Sequence, residues 1–256
     1  MARGGKARAR SERPPALPPE RRTVGQLVGE AIRVYERNLW QALGIGVPVA
    51  VVNAVAWATS GRGQVLVGAA GGLLVTFSYV AACAIVSGKP LRSRHALVAY
   101  LTGVLVFIPF PFLAVVYVLP GLAWLALFGL AVPAALVEEL DVRAALVRGF
   151  RLARVDFVHV LGGIATLALV GFLTQAVLFF VLRELAENTR IAAAALASIV
   201  VSPLLFLGGA LLYVDQEARL RSQLERGKER HAHLPDADEA DREGSPDAPR
   251  ESRPAS

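Results

Sequence analysis

The chain has 256 residues, 54% of them hydrophobic, with 27 Lys or Arg against 21 Asp or Glu and a net charge of +6. A mean hydropathy of +0.48 with the charges segregated excludes an ordinary soluble domain, in which apolar and charged residues mix throughout. A pI of about 10.0 points to nucleic acid only in a soluble protein; here the bases flank apolar runs, so anionic phospholipid headgroups are the expected partner and nucleic acid is not.

Residues 1–22 hold four prolines and seven Lys or Arg against two Glu, which predicts a disordered basic arm. About 38 polar or amphipathic residues precede the first apolar run, so no cleaved secretory signal is expected at Ala56-Trp57-Ala58. Thr23 with Gln26 forms a capping box that starts a helix. At 100° per residue Val24, Leu27, Val28, Ala31, Ile32, Tyr35 and Leu39 fall opposite Glu30, Arg33, Glu36 and Arg37, the pattern of an in-plane interfacial helix.

Spans are predicted at about 40–58, with Trp40 and Trp57 at headgroup depth, and at about 64–86, where Gly68 and Gly72 permit close helix approach. From Ala96 to Val137 there is no Asp, Glu, Lys or Arg. As one straight helix that run would be roughly 63 Å long, twice a bilayer core, so it must hold two spans. They divide at Leu119-Pro120-Gly121 into about 96–118 and 121–138, with Pro109 and Pro111 kinking the first. The fifth and sixth spans are predicted at 157–182 and 191–213. A charged helix follows from Asp215 to about Arg230, and then an acidic, Pro-containing tail. The domain reading is therefore an arm (1–22), an all-α polytopic transmembrane bundle of about six spans with two in-plane amphipathic helices (23–221), and a charged, mostly disordered tail (222–256).

Alternate loops carry 24 Lys or Arg against three, Arg62, Arg183 and Arg190, which predicts both termini in the cytoplasm of a multi-pass plasma-membrane protein. The segment between the fourth and fifth spans is the second in-plane helix. Val142, Ala145, Leu146, Gly149, Phe150 and Ala153 share one arc, and Arg143, Arg148, Arg151 and Arg154 the opposite one.

The chain resembles a family of bacterial integral membrane proteins related to the membrane domain fused to some glycerophosphodiester phosphodiesterases. The resemblance rests on the Thr23-Val24-Gly25 helix with Tyr35 and Trp40, on Pro133 to Glu138 followed by Val142-Arg143 and Arg148, and on Leu212-Tyr213-Val214-Asp215. It covers roughly residues 23–221. Gly149 stands where such proteins often have Ser, and Glu217 where they often have Arg. The resemblance implies a membrane location and no catalytic residue, because the fused enzymes keep their chemistry in a soluble barrel that nothing here could build.

Glu138 is a site candidate because a carboxylate near hydrocarbon is costly unless paired or hydrated; it reads as a ligand group or as a structural salt bridge with Arg143, Arg148 or Arg154. Asp215 poses the same question, with a basic residue of the Glu138 loop as its expected partner. The four arginines either bind phospholipid headgroups or only obey the positive-inside rule. Asn53, His159, Thr166, Thr174, Gln175, Ser198 and Ser202 are the polar groups within the spans, and helix packing accounts for most of them. The single Cys83, the His231-Ala-His233 pair and Gly4-Gly5-Lys6 build neither a metal site nor a phosphate loop, so no cofactor is expected.

Three functions follow. The first is a non-enzymatic accessory or organising protein, acting on lipid or a protein partner at the cytoplasmic face or as a homo-oligomer. The second is a small-solute or lipid transporter, and the third a lipid-modifying enzyme using His159 and Glu138.

Overall fold

A computed structural model describes residues 18–91, 94–184 and 187–232. The basic stretch before residue 18, Arg92, His233 and the acidic tail beyond it lie outside the described residues. The chain folds as an all-α bundle. Its helices are α1 (Val24–Arg37), α2 (Leu39–Trp57), α3 (Arg62–Ser87), α4 (Arg94–Phe107), α5 (Phe110–Val116), α6 (Val118–Phe128), α7 (Ala131–Val137), α8 (Val142–Val155), α9 (Phe157–Leu182) and α10 (Glu187–Ala232). Among the described residues six segments are long and apolar enough to cross a membrane: α2, α3, α4 with α5, α6 with α7, α9, and the first half of α10.

The third and fourth spans are each two helices, for reasons written in their prolines. Pro109 and Pro111 cannot donate to the carbonyls four residues earlier, and the chain breaks at Ile108-Pro109. The Trp124 indole donates to the Val106 carbonyl beside that break at 2.8 Å. The turn between the two spans falls at Tyr117, whose backbone is extended (φ −155°, ψ 139°), and not at Leu119-Pro120-Gly121. Pro120 lies in the first turn of α6, where a backbone N–H has no helical acceptor, so its ring starts the helix instead of ending one. In the fourth span Pro133 leaves the Gly129 carbonyl without its helical donor, and the Tyr79 hydroxyl of α3 donates to it at 3.2 Å.

Close approach decides two other contacts. A methyl at Gly149 would sit 2.5 Å from the Ala131 nitrogen, so glycine is what lets α8 lie against α7. A methyl at Gly46 would meet the Ile199 carbonyl at 2.2 Å, and that carbonyl is the one Pro203 leaves undonated, so α2 and α10 touch backbone to backbone. The predicted G-x-x-x-G face serves internal packing: Gly72 faces Phe107 of α4, and Gly68 faces Pro111 of α5.

The sixth span and the charged helix expected after it are one element: α10 runs unbroken for 46 residues, far longer than a bilayer needs, because no Pro or Gly follows Pro203 until Gly227 except the paired Gly208-Gly209. The arm is ordered from Pro18 onward, with a 3-10 turn at Pro19–Arg21 packed on α10. Helix α1 has its Thr23 N–H bonded to Gln26 Oε1 at 2.9 Å, and buries Leu27 and Ala31 against α10 and α9.

Candidate functional site

A cluster of paired charges sits at one end of the bundle, where α7, α8, α9, α10 and the turn before α1 meet. Glu138 caps the C-terminus of α7, and Asp141 opens α8 by accepting the Ala144 N–H at 3.1 Å. The turn between them passes through Glu139 at φ 59°, a left-handed backbone that costs a side-chain-bearing residue about 1 kcal/mol. Glu139 is held by Lys89 Nζ at 2.8 Å, and that ammonium keeps its carboxyl below the usual glutamate range.

Glu138 accepts Arg148 Nε at 2.8 and 2.9 Å and the Tyr213 hydroxyl at 2.8 Å. Of the four arginines predicted on one outward arc, Arg148 therefore turns into the bundle, and α8 buries Ala145, Gly149, Leu152 and Ala153. Arg143, Arg151 and Arg154 remain exposed, and among the described residues none of the three pairs with an acid. Arg154 lies over the Phe150 ring at 5.6 Å, and Phe150 stacks on Phe128 of α6.

Asp215 does not pair with the Glu138 loop. Its fully buried carboxylate takes Arg22 Nη1 at 3.0 Å, from a segment expected to be disordered. Arg219, one turn along α10, bonds Asp156 at the start of α9, donates to the Arg22 carbonyl at 2.9 Å, and sits 3.2 Å from His159 Nε2. A guanidinium only donates, so the facing ring nitrogen accepts. His159 and Glu138 thus belong to different clusters, each with its own arginine. Gln216, on the same stretch of α10, is fully buried with neither amide atom hydrogen-bonded, and Asp215 Oδ2 and Arg219 Nε are also unpartnered among the described residues.

At the opposite end, Asn53 and Gln175 donate to Ser198 Oγ at 3.0 and 3.2 Å and line a crevice of about 230 Å³ beside Trp57. Thr174 bonds the Val170 carbonyl of its own helix. Among the described residues no group of three His, Cys, Asp or Glu could hold a metal ion. Arg22, Asp156 and Arg219 are the participants the sequence reading did not single out; the N-cap position of Asp156 before an apolar run was the available signal for one of them.

No family model, curated protein or solved structure matches the chain.

Proposed function

We propose that this chain is a non-enzymatic accessory protein of a bacterial plasma membrane, with both termini in the cytoplasm, that engages anionic lipid through the outer face of α8. One observation carries the reading: Arg143, Arg151 and Arg154 stand exposed, with no acid paired to them among the described residues, on a helix whose other face is buried. A guanidinium meets phosphate with two donors, and each base near an anionic surface contributes about 1 kcal/mol. A groove of about 620 Å³ at the same end is lined by Asn38, Gln41 and Lys89 beside apolar Ile45, Phe77 and Ala81, a polar rim over an apolar wall that suits a lipid. Two of the three elements behind the family resemblance meet at this end, since Glu138 bonds both Arg148 and Tyr213. That meeting is what the resemblance would place together, and it names no chemistry.

The test is native mass spectrometry of the protein with its co-purifying lipids. Arg143, Arg151 and Arg154 changed together to Gln should lose retained phosphatidylglycerol while keeping zwitterionic lipid. Equal retention of the anionic lipid would reject the reading. Orientation is checked with single introduced cysteines near Arg37 and Arg62, because the native Cys83 is buried.

A transport reading is favoured by the Asn53–Ser198–Gln175 crevice alone. Its test is uptake in vesicles by Asn53→Leu with Gln175→Leu; solute flux lost in that variant would replace the accessory reading.

A further inference from the structure

Five helices close a ring in the order α3, α5, α6, α9 and α10, each packed on the next. Inside the ring is a cavity of about 370 Å³. Its end nearest Glu138 is sealed by Tyr79, Leu130 and Leu212, all buried. At the other end it is lined by Gly68, Pro111 and Leu122, which are partly exposed. From Gly68 to Tyr79 along α3 is roughly 16 Å, so the cavity is a slot with a mean cross-section on the order of 20 Å².

The shape and the lining select the occupant. Among the described residues the Tyr79 hydroxyl is the one side-chain polar group on the wall, and with its proton given to the Gly129 carbonyl it has only an acceptor left to offer. Water needs two to four polar partners, so the slot does not hold it. A helix is about 10 Å across and cannot enter, and an extended peptide would bring backbone groups that find no partner. An extended alkyl chain has the matching section, needs no hydrogen bond, and restores the dispersion contacts that an unfilled wall forfeits.

We propose that the slot holds one hydrocarbon chain of a membrane lipid, about a dozen methylenes deep, entering from the end opposite Glu138 with its headgroup left outside. Gly68, Gly72 and Gly209 are part of its wall, and Tyr79 marks its floor. The site is separate from the arginine face of α8, so the two stand or fall independently.

The experiment reconstitutes the full chain in phosphatidylcholine vesicles doped with a phosphatidylcholine that carries a diazirine at mid-chain, followed by photolysis and peptide mapping. Wild type should form adducts at Leu125, Ile164 or Leu167 as well as at outward-facing Val47 and Val51. Ala168→Phe, which fills the slot, should cut the inner adducts at least tenfold and leave the outer ones; Leu205→Trp provides a second plug should the first variant not fold. The Arg143, Arg151 and Arg154 triple variant should label the slot as wild type does. Wild-type adducts confined to Val47, Val51 and other outward positions, or inner adducts that survive both plugs, would overturn the proposal.

Discussion

The Tyr213 hydroxyl donates to Glu138 Oε1 at 2.8 Å, joining the sixth span to the end of the fourth across 75 positions of sequence. Because the same carboxylate takes Arg148 through both oxygens, one acid fixes three helices, α7, α8 and α10. A hydrogen bond to a charged group contributes about 1.5–3 kcal/mol when shielded; Glu138 is a quarter exposed, so Tyr213→Phe should cost about 1 kcal/mol. Unfolding by denaturant titration in bicelles measures it. In a Glu138→Gln background the Tyr213→Phe cost should fall by half or more, and an undiminished cost would show that Tyr213 acts through packing alone.

Arg22→Gln should be the more damaging change. It leaves the Asp215 carboxylate fully buried without its bonded cation, a loss of about 3 kcal/mol. Adding Asp215→Asn removes the stranded charge and should recover at least half of the thermal stability. A double variant no better than Arg22→Gln alone would mean that the ordered turn at Pro19–Arg21, and not the ion pair, supports α10.

Gln216→Met should stabilise the protein. The buried amide has no partner, and Met is of similar volume without polar atoms to desolvate, so the gain is about 1 kcal/mol, read as a higher midpoint in a gel-filtration thermostability assay. A lower midpoint would indicate that the amide is hydrogen-bonded in the membrane.

Tyr79→Phe and Pro133→Ala test the broken fourth span together. Alone, Tyr79→Phe strips the Gly129 carbonyl of its donor and should cost about 1 kcal/mol. With Ala at 133 an N–H becomes available to that carbonyl, so the Tyr79 effect should shrink toward zero in the same assay. Additive costs would refute the account of why the span is split.

Strong acid should loosen the turn before α8. The Lys89 ammonium depresses the Glu139 carboxyl, so its contribution is present above the ordinary glutamate range and is lost as pH falls through the lowered value. Being exposed, the pair should shift local labelling of the Glu139 turn and leave the global melting midpoint nearly unchanged.

The sequence by itself determined the span count and the two amphipathic helices. Continuous apolar runs of some twenty residues satisfy their backbone in hydrocarbon as helices, and a run free of charge from Ala96 to Val137 is too long for one crossing. It marked Glu138 and Asp215 as costly for the same reason. It did not choose their partners: Arg22 and Arg148 look like any other flanking base, and the fully buried Gln216 looks like any polar residue of a charged helix. Proline misled at Pro120 because the same ring that stops a helix interior starts a first turn, and only the extended backbone at Tyr117 separates the two cases. The pairing of charges and the slot beneath Gly68 were decided by tertiary structure, since both depend on which helix faces which, and that follows from close contacts such as Gly46 on Ile199 and Gly149 on Ala131 that no local pattern encodes.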